Sequence, residues 1–256
     1  MLIDTHCHLY TDAFDLDRQQ VVERSIQADV QYIILPGIDA ETHSALMRTS
    51  AAFPHFCLPA IGLHPTSVST DYESELDFLE QQLKDTSFIA IGEVGIDGYW
   101  SQEFIKQQCE AFERQLEWAA HYNLPVIIHS RSAFDKLFEL LYLRRSLNIR
   151  GVFHAFSGNY QQFRQLQKCG TFKIGIGGVL TYKNAGLAQT VAKIDPSFFL
   201  LETDAPWLTP VPHRGQRNES AYLSFIAQRL SEILEKPYEE IACITTQNAC
   251  SLFNIS

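Results

Sequence analysis

Histidine and carboxylate residues recur in this chain where short apolar runs end. The first run closes on His6-Cys7-His8. Side chains alternate along a strand, so His6 and His8 share one face and can chelate a single ion, while Cys7 points the other way into packing. The fourth run ends in Gly92-Glu93, the fifth in His129, the sixth in His154 and the eighth in Glu202-Thr203-Asp204. Imidazole plus carboxylate is the ligand set of zinc, manganese and related divalent ions, and a carboxylate can bridge two of them. Magnesium prefers oxygen ligands and keeps several waters, so so many imidazoles favour Zn²⁺, Mn²⁺ or Fe²⁺, with Mg²⁺ still able to support an assay. Singly, each residue has an ordinary explanation: a lone strand histidine is usually a satisfied core or surface group, and Glu93 alone could pair with an arginine. Together they resist it, because burying such groups unpaired costs several kcal/mol each. A bound metal removes that objection.

The elements that must position these residues follow from hydropathy. Short, β-branched or aromatic runs occur at 2–6, 32–36, 56–61, 88–93, 125–129, 151–155, 171–176 and 198–203. Each is almost uniformly apolar, as strands covered on both faces should be. Helical spacing fills the gaps: Ile105, Cys109, Phe112, Leu116 and Ala119 form one stripe within 101–121, followed by Phe134, Leu137, Phe138 and Leu141, and later by Tyr222, Ile226, Leu230 and Ile233. Asn123 and Pro125 close one helix and open the next strand. Strand–helix alternation without a block of consecutive strands predicts a parallel sheet. Eight such units in a chain of 256 residues predict closure into a single (β/α)8 barrel spanning 1–256. The longest irregular segment, Ala205 to Ser220 with Pro206, Pro210 and Pro212, then lies on the C-terminal face, where barrel active sites sit.

Composition sets the outer bounds. With 46% hydrophobic residues the chain is neither disordered nor of low complexity. Twenty Lys+Arg against thirty Asp+Glu leave a net charge of −10, so the surface repels phosphate backbones and does not coat long duplexes, although a local basic patch could hold one strand end. The six cysteines are scattered, with no C-x-x-C pair, and read as thiols of a reducing compartment. The N-terminus lacks the regions of a signal peptide, and no apolar run approaches the ~18 residues of a membrane span. These features predict a cytoplasmic protein with no membrane association and no obligate protein partner.

The motifs Ile3-Asp4-Thr5-His6-Cys7-His8, Gly62-Leu63-His64-Pro65, Gly92-Glu93-Val94-Gly95-Ile96-Asp97, His129-Ser130-Arg131, His154-Ala155-Phe156-Ser157-Gly158 and Glu202-Thr203-Asp204-Ala205-Pro206 resemble, in order and across nearly the whole chain, those of the TatD family of metal-dependent hydrolases. The stretch from Phe172 to Gly178, running on to Leu180-Thr181-Tyr182, further resembles bacterial YjjV-type paralogues. The resemblance implies a TIM-like barrel of the amidohydrolase-like superfamily, two divalent metal ions, and phosphodiester hydrolysis, often as a 3′-to-5′ deoxyribonuclease. Carried over by position, it implies that His6, His8 and Asp204 hold one metal together with Glu93. His129 and His154 would hold the second, with Glu93 bridging and Asp204 also serving as general base.

Other residues stay open at this level. His64 lies in the right layer to touch a substrate phosphate, or is a turn histidine before Pro65. Arg214 and Arg217, in the loop after the eighth strand, are the best sequence candidates for local positive charge, unless they are solvated. Glu202 is either a ligand or an ion-pair partner of Lys173 inside the barrel. Tyr99 and Trp100 either stack on a base or pack their loop. The substrate expected is a nucleic-acid end or a small phosphodiester. The alternatives are hydrolysis of a small cyclic amide or ester, or a non-catalytic binding relative. A Glu in place of the modified lysine of many amide-opening relatives favours the phosphodiester, and an intact ligand set favours catalysis.

Overall fold

Both faces of each strand are covered, which is why the runs are short and apolar. The computed structural model describes residues 1–85, 87–183 and 185–255. The runs form β1 (Leu2–Asp4), β2 (Val30–Leu35), β3 (Cys57–Pro59), β4 (Ile91–Asp97), β5 (Val126–Arg131), β6 (Arg150–Phe153), β7 (Thr171–Ile176) and β8 (Phe199–Leu201). Neighbours pair in parallel, β1 to β3 in one ladder and β4 to β8 in a second. The ladders join where Ile61 bridges Ile91 and where Cys7 bridges Ala205. At the second seam Thr5 N–H donates to the Leu201 carbonyl at 3.0 Å and Asp204 N–H to that of His6 at 2.9 Å. Both seams closed, the sheet is a TIM-like (β/α)8 barrel.

The helices wrap it as α1 (Arg18–Gln27), α2 (Ala40–Ala52), α3 (Tyr72–Asp85), α4 (Ile105–Tyr122), α5 (Phe134–Leu143), α6 (Tyr160–Leu166), α7 (Leu187–Val191), α8 (Leu223–Leu234) and α9 (Tyr238–Phe253). Helix α4 stops at Asn123, which takes a left-handed φ of 52° as its cap. Helix α9 has no counterpart in the periodicity, because its buried face carries Thr245, Thr246 and Asn248 among the apolar residues. The Asn248 amide donates to the carbonyls of Pro196 and Phe199, both at 2.9 Å, which satisfies it in the interior.

The pleat sorts each strand between two cores. Ile34, Ile127, Val152 and Leu200 point into the barrel, where Ala249, Leu252 and Phe253 of α9 plug the N-terminal end. Their neighbours Ile33, Leu35, Val126, Ile128, Phe153, Phe199 and Leu201 face the helices. Continuing that alternation carries Ile127 to His129, Val152 to His154, and Leu200 to Glu202 and Asp204 at the C-terminal mouth. Two strands break it. Ile3 and Ala90 point inward, so strict alternation would aim Thr5 and Gly92 at the lumen. Strand β1 ends at Asp4, and β4 carries a register shift between Ile91 and Val94. Irregularities of this kind re-aim side chains, and here they turn His6, His8 and Glu93 inward. Strand β4 also runs on to Asp97, so Glu93 sits within the strand and not at its end as the sequence suggested.

Candidate metal centre

The imidazoles of β5 and of the segments just after β6 and β1 meet around one carboxylate. Glu93 is buried, and its two oxygens face two different sets of nitrogens. Oε2 lies 3.0 Å from His6 Nε2 and 3.6 Å from His8 Nε2. Oε1 lies 2.8 Å from His129 Nδ1 and 2.9 Å from His154 Nε2. Asp204 Oδ1 completes the first set, 3.7 Å from both His6 and His8. Asp204 itself has a φ of 56°, a left-handed conformation that Asp tolerates better than most residues.

For His8, His129 and His64, hydrogen bonding on the far side of the ring fixes which nitrogen has a free lone pair, whereas Nδ1 of His6 and of His154 has no hydrogen-bond partner among the described residues. The Tyr10 hydroxyl donates to the Pro36 carbonyl at 2.6 Å. Its one proton is spent there, so His8 Nδ1–H donates to the Tyr10 oxygen across 3.0 Å, leaving the neutral ring with a bare Nε2. That nitrogen faces His6 Nε2 at 3.1 Å and two carboxylates. Likewise His129 Nε2–H donates to Asp97 Oδ2 at 2.9 Å, so Nδ1 is turned to Glu93. Lone pairs converging on carboxylates repel unless a proton or cation lies between them, so the donor set fits divalent ions. His64 differs. Its Nδ1 accepts the Thr66 backbone N–H at 3.1 Å, which leaves the proton on Nε2, a donor 3.3 Å from Glu93 Oε1.

Charge reinforces the picture. Burial pushes the Glu93 carboxyl up, but His154, His64 and His6 more than reverse this and hold it well below the usual range. Burial, with repulsion from His154, holds His6 well below its ordinary value and therefore neutral. For His154 burial is outweighed by Glu93 and Glu202, and for His129 by Asp97 and Glu93, so both are raised. Burial lifts Asp204 to about 6, with Glu93 and Glu202 adding and His154 and His8 opposing.

The side chains around this cluster line a cavity of about 690 Å³ that includes Trp100, Arg131, Phe156, Trp207 and Leu208. A family model described as TatD related DNase matches residues 3–254. The chain belongs to the TatD family. This TatD-family protein is 36% identical to the metal-dependent hydrolase YabD of Bacillus subtilis, with both chains covered in full. It is 35% identical to the metal-dependent hydrolase YjjV of Escherichia coli over 99% of this chain and 98% of that one. The crystal structure of the E. coli YjjV TatD homologue superposes with a TM-score of 0.91 at 33% identity, covering 100% of this chain and 98% of the other. A TatD-family structure from Entamoeba histolytica shares the fold, with a TM-score of 0.85 at 20% identity. The protein is thus a TatD-family metal-dependent hydrolase.

Within this TatD barrel the structure brings together His6, His8, His64, Glu93, His129, His154 and Asp204. Glu202 joins them, but not through Lys173. The Lys173 ammonium donates at the N-terminal end of the barrel, to the Ser197 carbonyl at 2.7 Å and to Asn248 Oδ1 of α9. Glu202 Oε1 instead accepts the Ala155 N–H and lies 3.6 Å from His154 Nδ1. Gly175 makes the room, since a Cβ there would stand 2.1 Å from Glu202 Oε2. Arg214 stacks on Tyr182 at 4.1 Å and Arg217 pairs with Asp17 at 2.7 Å, and neither lines the cavity. No described helix is long and apolar enough to cross a membrane.

Three positioning residues escaped the sequence reading. Asp97 orients His129, and Tyr10 orients His8. Buried Asp4 accepts from Thr203 N–H at 2.9 Å and from the hydroxyls of Thr203 and Ser220 at 2.6 Å, pinning the segment that carries Asp204 to β1. Asp4 and Asp97 stand inside the recognised motifs, and that was the available signal. Tyr10, two residues beyond His8, carried none.

Proposed function

We propose that the protein is a binuclear divalent-metal phosphodiesterase acting on a nucleic-acid end or a short phosphodiester, in the manner of a deoxyribonuclease. The observation that carries this reading is the division of Glu93, with each oxygen facing its own set of imidazole nitrogens. His6, His8, Asp204 and Glu93 would hold one ion, and Glu93, His129 and His154 the other. Bound there, Zn²⁺, Mn²⁺ or Fe²⁺, or Mg²⁺ in an assay, would supply Lewis acidity that lowers the pKa of water and offsets charge on phosphoryl oxygens. Asp204, beside the first set, is the general base that takes the proton of the attacking water. His64 Nε2–H would donate a hydrogen bond to a phosphoryl oxygen, and the nitrogen it turns inward supports this reading. The net charge of −10 favours a strand end or small ester over a long duplex. Free cysteines, three of them buried, are in keeping with a reducing, cytoplasmic setting.

The test is to assay the purified, metal-reconstituted protein against single-stranded DNA, RNA, p-nitrophenyl phosphodiesters and dihydropyrimidines. Hydrolysis of the phosphodiesters with two metal equivalents per chain is expected. Turnover of the dihydropyrimidine alone would assign it to the cyclic-amide branch, and a fully metallated but inert protein would mark it as a binding relative.

A further inference from the structure

We propose that Arg131 and Trp100 form a nucleotide subsite beside the metal centre, the guanidinium edge taking a phosphate and the free indole face taking the unpaired terminal base. The inference rests on the phosphodiester reading above and names the substrate class for it. Arg131, at the end of β5, is the one Lys or Arg among the described residues lining the cavity, whose acidic members are Glu93, Asp97, Glu202 and Asp204. Its guanidinium lies 3.8 Å above the Tyr99 ring and 5.1 Å from that of Trp100. Stacking occupies the faces of the guanidinium and leaves its edge N–H donors free, the arrangement that grips phosphate bidentately.

Among the described residues Arg131 has no ion-pair partner, although Asp97 sits opposite it in the β4–β5 register. That carboxylate is already committed. Its Oδ2 accepts from His129, while Oδ1 accepts the backbone N–H groups of Tyr99 at 2.8 Å and Trp100 at 3.2 Å. One side chain therefore ties the aromatic loop to the metal centre at a fixed spacing. Trp100 is 70% exposed and Tyr99 57%, so burial does not account for them, and Trp100 lines the cavity. An exposed arginine without an ion-pair partner among the described residues, beside an acidic cavity, and an adjoining exposed indole together match a phosphate followed by a flat heterocycle.

The experiment measures binding of the zinc-loaded protein to a short single strand with phosphorothioate linkages. The same strand with an abasic terminal residue is measured beside it, and both are titrated across salt. The base-bearing strand should bind about tenfold more tightly, within the range for stacking of one base. Trp100→Ala should collapse that preference to less than twofold. Arg131→Ala should weaken both strands alike and flatten the salt slope by about one counterion. Equal binding of the two strands by the parent, a preference that survives Trp100→Ala, or an unchanged salt slope in Arg131→Ala would each overturn the subsite. Turnover separates this from the parent reading: a protein that shows the base preference but cleaves no phosphodiester keeps the subsite and loses the hydrolytic assignment. Cleavage without any base preference does the reverse.

Discussion

Replacing Asp97 by Asn tests how the second half of the metal centre is oriented. The side chain keeps its size, but only one of its two heads can still accept. If the amide nitrogen turned toward Tyr99 and Trp100, two backbone N–H groups would lose their acceptor, at about 1–3 kcal/mol each. The oxygen therefore stays with the loop, and the NH₂ faces His129 Nε2. That nitrogen must then accept, which moves the ring proton to Nδ1, 2.8 Å from Glu93 Oε1, where it blocks ligation. Restoring the ligating tautomer against an opposing N–H costs about 1.4–2.8 kcal/mol, equivalent to a 10–100-fold weaker site, the usual range for an outer-sphere partner of a metal-binding histidine. Elemental analysis and chelator competition should show one metal equivalent weakened by that factor. The equivalent proposed for His6, His8 and Asp204 should stay within about threefold of the parent. Two equivalents retained at parent affinity would refute the orienting role of Asp97, and equal loss of both would refute the division of ligands between the two Glu93 oxygens.

Glu93→Gln should lose at least one metal equivalent with the barrel intact by circular dichroism, and full metal content in that variant would exclude bridging. Asp204→Asn should lower kcat roughly 10²–10⁴-fold with a much smaller change in substrate binding, metal occupancy being measured in the same sample. A fully metallated variant with near-parental turnover would move the base to Glu202 or His64. Tyr10→Phe should weaken metal binding about tenfold by releasing His8 Nδ1, as read by chelator competition. Arg217 and Arg24 hold the Asp17 carboxyl at about 2, below its value in the unfolded chain, so the stability it contributes is fully present above pH ~4 and is lost as pH falls toward 2. At this partly exposed site that is about 1 kcal/mol. In urea titrations Asp17→Asn should cost this much at pH 5 to 7, and the difference should shrink below pH 4.

The chain alone determined the architecture and most of the donor set. Uniformly apolar runs such as Val126-Ile127-Ile128 can only be strands buried on both faces, and eight of them alternating with helical stripes leave little but a closed parallel barrel. Pleat periodicity then delivers His129, His154 and Asp204 to the mouth, because period two is a local property of an extended backbone. What tertiary structure decided is where that period breaks. The β4 register shift that turns Glu93 inward is set by pairing with β5. Gly95 permits that pairing, since its φ of 147° and the 2.0 Å from a Cβ to the His129 carbonyl admit no side chain. Protonation was equally out of reach. Which nitrogen His8, His64 and His129 offer depends on Tyr10, Thr66 and Asp97, and the partnering of Glu202 depends on the space left by Gly175. Among the described residues the cation lining the cavity is Arg131 and not the loop arginines, because Arg217 finds Asp17 across the barrel seam and Arg214 finds Tyr182. The pairings of Asp97 with His129, Glu202 with His154 and Arg217 with Asp17 join residues far apart in sequence, and only the closed barrel brings them within bonding distance.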